Sequence, residues 1–182
     1  MLLKGVLGSA TDNKLNIMRP VVSAITDYFP YVELSKELKI EMTFNDMEIE
    51  NLLNYNYGTR YSYLILSLLY PGRDWKDKKY NEDHIYPQNE FKIKNLRAKG
   101  YDDATIEKYQ ACYNSILNLE LLDDFESKNA KPFDIWLKDR DDNFKERHHI
   151  PEMNDYSLNH FLEFIQKRKD LLIKQIKEFN LQ

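Results

Sequence analysis

The stretch "KYNEDHIYPQNEF", residues 79–91, places Asp83 and His84 side by side, just before Ile85, Tyr86 and Pro87. An isolated Asp–His pair is common in soluble chains, and its meaning depends on what accompanies it. Downstream, "NLELL" opens at Asn118, and the polar stretch "DDFESKNAKPFDIWL" follows over 123–137. Asp, His and Asn together are the side chains that a one-metal phosphodiester nuclease uses. A carboxylate holds Mg²⁺ through hard oxygen while the ion keeps several waters. A neutral imidazole beside the ion takes a proton from the attacking water. A carboxamide fixes the histidine by hydrogen bonding or serves as a second ligand. In an Asp–His step at the end of a strand the two side chains leave on opposite sides. They serve one reaction only if the strand turns, as Pro87 invites.

Working outward, the 182 residues are enough for one good-sized core, or a domain with an appendage. Charged residues make up 31% and hydrophobic residues 42%, as expected for a soluble globular protein. No apolar run approaches the roughly 20 residues of a spanning helix, so no membrane partner is expected. The opening "MLLKGVLGSATDNK" lacks a basic leader and makes a poor signal peptide. One cysteine, Cys112, excludes an internal disulfide framework and a zinc site built on Cys pairs, and a reducing cytoplasm is the simplest setting. The net charge of −4 argues against a chain coated in basic charge, but a nucleic-acid enzyme needs only a local basic face.

Periodicity predicts mostly helix. Residues 14–29 read as a helix interrupted near Pro20. Thr43 followed by Asp46 resembles a capping box ahead of "MEIENLL". "TRYSYLILSLLY" reads as a buried helix closed by Pro71 and Gly72. "NEFKIKNLRAKG" reads as a short helix stopped by Gly100, and "DDATIEKYQACY" as another. "SILNLELL" alternates around Asn118 and reads as a strand, with a helix expected within 124–139. In the closing segment, Phe161, Ile165, Leu172, Ile176 and Phe179 share one helical face. Lys167, Lys169, Lys174 and Lys177 populate the rest, as a solvated face or a DNA contact.

These residues together resemble a family. "DHIYP", "NLELL" and "ESKNAKPFDIWL" are similar to the motif of HNH (His-Me finger) nucleases, and more closely to the C-terminal nuclease half of GmrSD-like restriction endonucleases. "NYGTRYSYLILSLLYP" upstream and "RHHIPEM" with "FLEFIQKRKDLL" downstream extend the likeness from about residue 45 to the end. The resemblance implies a mainly α fold with a small embedded ββα-metal finger. It implies one nuclease-type domain over 1–182, with a helical part at 1–75, the finger and a helical insertion over 76–140, and a closing helical segment over 141–182. It implies Asp83 as metal ligand, His84 as general base, Asn118 as the asparagine that opens the second strand and orients the histidine, and Mg²⁺ or Mn²⁺ as cofactor. The last ligand departs from the pattern. Aligned on Lys128, the family's asparagine falls on Phe125, which binds no metal; Asn129, Asp123 and Asp124 remain as candidates. The implied function is metal-dependent cleavage of DNA in restriction or phage defence. A catalytically inactive nucleic-acid-binding or assembly module is the alternative, and RNA is the other substrate class. GmrSD-like proteins carry an N-terminal ParB-like nucleotide-hydrolysing half. No Walker-type loop occurs here, so such a domain or subunit is expected as a partner outside this chain.

The remaining candidates have plainer readings. His84 alone would be a histidine capping a turn, Asn118 a turn asparagine and Asn129 a helix-surface or capping residue. His148 and His149 fall in a structural segment and, being adjacent, make poor paired ligands. His160 reads as surface or capping, Cys112 as a small buried residue, and Trp75 and Trp136 as core and groove walls.

Overall fold

The two strands that carry the motif pair with each other. In the computed structural model, which describes residues 3–6, 8, 11–123, 126, 128 and 130–179, β1 (Tyr80–His84) runs antiparallel to β2 (Leu119–Asp123). The register sets Tyr80 opposite Asp123, Asp83 opposite Glu120 and His84 opposite Leu119. Among the described residues this is the one sheet, and the rest of the regular structure is helical.

The helices are α1 (Thr11–Ala24), α2 (Tyr31–Leu38), α3 (Asp46–Leu53), α4 (Ser62–Leu69), α5 (Ile93–Ala98), α6 (Asp103–Cys112), α7 (Phe133–Leu137), α8 (Phe144–Arg147) and α9 (Phe161–Phe179). Short 3₁₀ turns occupy Gln88–Phe91, Ile116–Asn118 and Leu158–His160. The chain falls into two compact units, residues 1–45 and 46–182. In the first, α1 packs on α2, and Val6 and Leu34 are buried. Pro20 lies inside α1, none of whose residues is buried.

The second unit is organised by α9, which contacts α3, α4 and α6. Phe161, Phe164, Leu172 and Ile176 are buried on its inner face, and Ile165 is 8% exposed at the edge. The Phe179 side chain lies outside what is described. The expected lysine face is exposed, and two of its members tie α9 to α3: Lys169 to Glu50 at 2.8 Å and Lys177 to Asp46 at 2.6 Å. The periodic reading omitted Arg168, which is fully buried and donates to the carbonyls of Leu117 and His148. Tyr86, just after β1, packs its ring on Phe133, Phe161 and Phe164 at 5.0–5.2 Å between centroids. That cluster fastens the turn after β1 to α7 and α9.

Several local expectations are corrected. α3 begins at Asp46, so Thr43 is not its cap; the Thr43 hydroxyl instead donates to Glu41. β2 does not alternate: Leu119, Glu120, Leu121 and Leu122 are all buried, with α4 packed on the strand. A strand covered on both faces reads as a continuous apolar run, not as an alternation. Cys112 is half-buried at the end of α6, just before the chain enters the core at Ser115.

Candidate active site

β1 delivers Asp83 and His84 to one cleft of about 270 Å³, lined also by Tyr57, Gln88, Asn89 and Lys128. The two neighbours reach the same cleft because the strand ends there. The Asp83 carboxylate folds back to accept the His84 backbone N–H at 2.8 Å, and Pro87 turns the chain into the Gln88–Phe91 3₁₀ turn.

His84 is 6% exposed. Its Nε2 lies 2.9 Å from Oδ1 of Asn114, and the Tyr57 ring covers it at 4.8 Å between centroids. An amide oxygen only accepts, so Nε2 carries the ring proton in the neutral imidazole. Nδ1 then holds the free lone pair and has no hydrogen-bond partner among the described residues. Burial lowers the imidazole's pKa below its ordinary value, against the opposing effect of the Asn114 hydrogen bond. The ring is therefore poised as a neutral base at neutral pH.

Asn118 is fully buried, and none of its side-chain hydrogen bonds among the described residues goes to the His84 ring. Its Oδ1 accepts the Tyr86 N–H at 2.9 Å, and its Nδ2 donates to the carbonyls of Tyr86 at 3.1 Å and Tyr113 at 2.7 Å. Its own carbonyl accepts the Ile85 N–H. Asn118 thus clamps the turn that follows His84 and acts on the histidine only through the backbone. The orienting contact to the imidazole comes from Asn114.

Beside Asp83 lies a buried charge network. Lys128, 2% exposed, puts its ammonium 3.4 Å from Asp83 Oδ2 and against Glu120 Oε1, over the face of Trp136. The other Glu120 oxygen lies 2.9 Å from His148 Nδ1, off the line of the N–H, so the contact is electrostatic more than a well-aligned hydrogen bond. Arg73 donates to His148 Nε2 at 2.9 Å. Burial alone would raise the Glu120 carboxyl, but Lys128 and His148 outweigh it and hold the pKa at about 2. His149 is turned away, donating from Nε2 to the Leu69 carbonyl at 2.6 Å. His160 is surface-exposed between Asp155 and Glu163. Trp136 is core, whereas Trp75 is 42% exposed against Tyr63 and Tyr80.

Of the candidates for the last ligand, Asp123 sits opposite Tyr80, three residues along the ladder from Asp83's partner, or roughly 10 Å. Its carboxylate pairs with Lys78 at 3.1 Å. Asp124, Phe125 and Asn129 lie outside the described residues. Among the described residues no group of three or more His, Cys, Asp or Glu side chains is able to hold a metal ion. Asp83, 40% exposed on the cleft wall, offers one hard carboxylate. That suits a cation of the Mg²⁺ kind, which keeps most of its waters and takes one or two carboxylates.

Sequence reasoning missed Asn114, Glu120, Lys128 as Asp83's partner, and Tyr57. Glu120 had a signal, a lone charge inside the apolar run "LELL". Asn114 had none, because the contact joins residues 30 apart. Among the described residues no helix is long and apolar enough to cross a membrane. The sequence matches no protein-family model and no curated protein.

Proposed function

We propose that this chain is the nuclease module of a restriction or phage-defence system, an HNH-type endonuclease that hydrolyses DNA phosphodiester bonds at Asp83 and His84. In this reading β1, β2 and α7 form a ββα-metal finger, working in the cytoplasm with a ParB-like nucleotide-hydrolysing domain or subunit. One observation carries it: Asp83 and His84 share a cleft in which the imidazole is anchored through Nε2 and left free at Nδ1. Nδ1 takes a proton from water as the water oxygen bonds to phosphorus. The bond from phosphorus to the leaving oxygen breaks, and that oxygen is protonated from solvent. Asp83 would hold Mg²⁺ or Mn²⁺, which when bound supplies positive charge to the phosphate. Asn118 keeps the turn after His84 in place, and Tyr57 screens the ring from bulk water.

The second reading, a non-catalytic nucleic-acid-binding or assembly module, is favoured by Lys128. Its ammonium already stands 3.4 Å from Asp83 Oδ2, where a cation would be needed. Calorimetric Mn²⁺ titration of the parent and of Lys128→Met, beside plasmid cleavage in Mn²⁺ and in EDTA, separates the two. The nuclease reading expects the parent to bind Mn²⁺ and to cut only when metal is present. A parent that binds no Mn²⁺ and cuts neither DNA nor RNA, while Lys128→Met gains Mn²⁺ affinity, marks the binding module.

A further inference from the structure

We infer that Asn114 is the positioning residue that selects the tautomer of His84, fixing the proton on Nε2 and reserving Nδ1 for the reaction; this rests on reading His84 as the proton acceptor. The contact is the 2.9 Å approach of Asn114 Oδ1 to Nε2. A free imidazole exchanges between two neutral tautomers, and only a fixed partner on one nitrogen dedicates the other.

What makes Asn114 more than an incidental neighbour is how firmly it is held. Its backbone carbonyl accepts the Tyr57 N–H at 2.8 Å. Its two chain neighbours are fixed as well. The Tyr113 carbonyl accepts from the Asn118 carboxamide at 2.7 Å, and Ser115 bridges to Asn56. Next along the chain, Ile116 donates to the Tyr55 carbonyl at 2.9 Å. Segment 113–116 is thus stitched on one side to loop 55–57 and on the other to the Asn118 clamp, which itself grips the backbone two residues beyond His84. The amide oxygen and the imidazole are tied to one framework through Asn118. Tyr57 closes it from above: the loop that pins Asn114 also lays its ring over the imidazole, opposing a ring flip that would put Cε1 in place of Nε2 against Asn114. Preorganised orientation of this kind holds a base in its reactive form before substrate arrives.

The test is long-range ¹H–¹⁵N correlation of the histidine side chains in the ¹⁵N-labelled full chain at pH 8, beside cleavage kinetics. His84 of the parent is expected in the Nε2–H tautomer. Asn114→Ala should give a mixture of tautomers and lower kcat on the order of 10–100-fold with KM little changed. Asn114→Asp, which keeps an acceptor at the same place, should restore the Nε2–H form and most of the lost rate. An Nδ1–H tautomer in the parent overturns the inference even if Asn114→Ala does not fold, and so does an unchanged tautomer in a folded Asn114→Ala. Failure of the nuclease reading looks different: the parent shows the Nε2–H tautomer and its loss in Asn114→Ala, yet cuts no nucleic acid.

Discussion

At the scale of single residues, the histidines divide by what holds each ring. His84 is anchored at one nitrogen and free at the other, whereas His149 packs against Tyr70 with its Nε2 on the Leu69 carbonyl. Burial above all, with the nearby guanidinium groups and His148, lowers the His149 pKa to about 4, against the pull of the Leu69 carbonyl. The folded pKa lies below the unfolded value of 6.5, so between those values the unfolded chain binds more protons. Stability should therefore fall as pH drops from 6.5 to 4, by up to roughly 3 kcal/mol, and level off below that for this group. His149 has φ of 52°, a left-handed conformation that asparagine tolerates. His149→Asn should fold and show a flatter stability curve over that window in urea melts; an unchanged slope means that His149 is not the group responsible. Asp83 and His84 drew notice in the sequence because they are adjacent, and the structure brings both to one cleft. Asn114 and Lys128 did not, because their contacts join segments distant in sequence, and Glu120 showed only as a lone charge in an apolar run.

At the scale of elements, the stability of β2 turns on one buried acid. Glu120 is fully enclosed, and its carboxylate depends on Lys128 and His148. Removing one partner of a buried pair leaves an uncompensated charge, which costs about 3–5 kcal/mol. Lys128→Met should lose stability of that order in chemical denaturation, and adding Glu120→Gln should recover much of it. A Lys128→Met protein as stable as the parent would mean that the ammonium does not hold Glu120 down. The same pair explains why the strand, though expected, does not alternate. An acid between leucines looks like alternation, but here it is an internal charge with its own counterion. Long amphipathic or uniformly apolar stretches, α9 and α4, were legible from their spacing. α2 and α8, of eight and four residues, carry too little periodicity to stand out, and α7 occupies only Phe133–Leu137 of the expected 124–139. The Thr43 box failed because the helix begins three residues later, at Asp46.

At the scale of the whole molecule, the cleft, the charge network and the aromatic cluster described above all lie within residues 46–182, one of the two compact units. A chain beginning at Asp46 should therefore fold cooperatively and keep the near-ultraviolet circular dichroism of its Tyr86, Phe133 and Phe161 cluster. Loss of the cooperative transition would show that residues 1–45 are needed to complete it. The central claim is narrower: Asp83 and His84 form one reactive site with divided labour. It is tested most directly by comparing plasmid cleavage in Mn²⁺ by the parent and by His84→Ala, with calorimetric Mn²⁺ titration and a thermal melt of both. The account predicts that His84→Ala melts and binds Mn²⁺ as the parent does, yet cuts on the order of 10²–10⁴-fold more slowly. A His84→Ala protein that cuts as fast as the parent would contradict it.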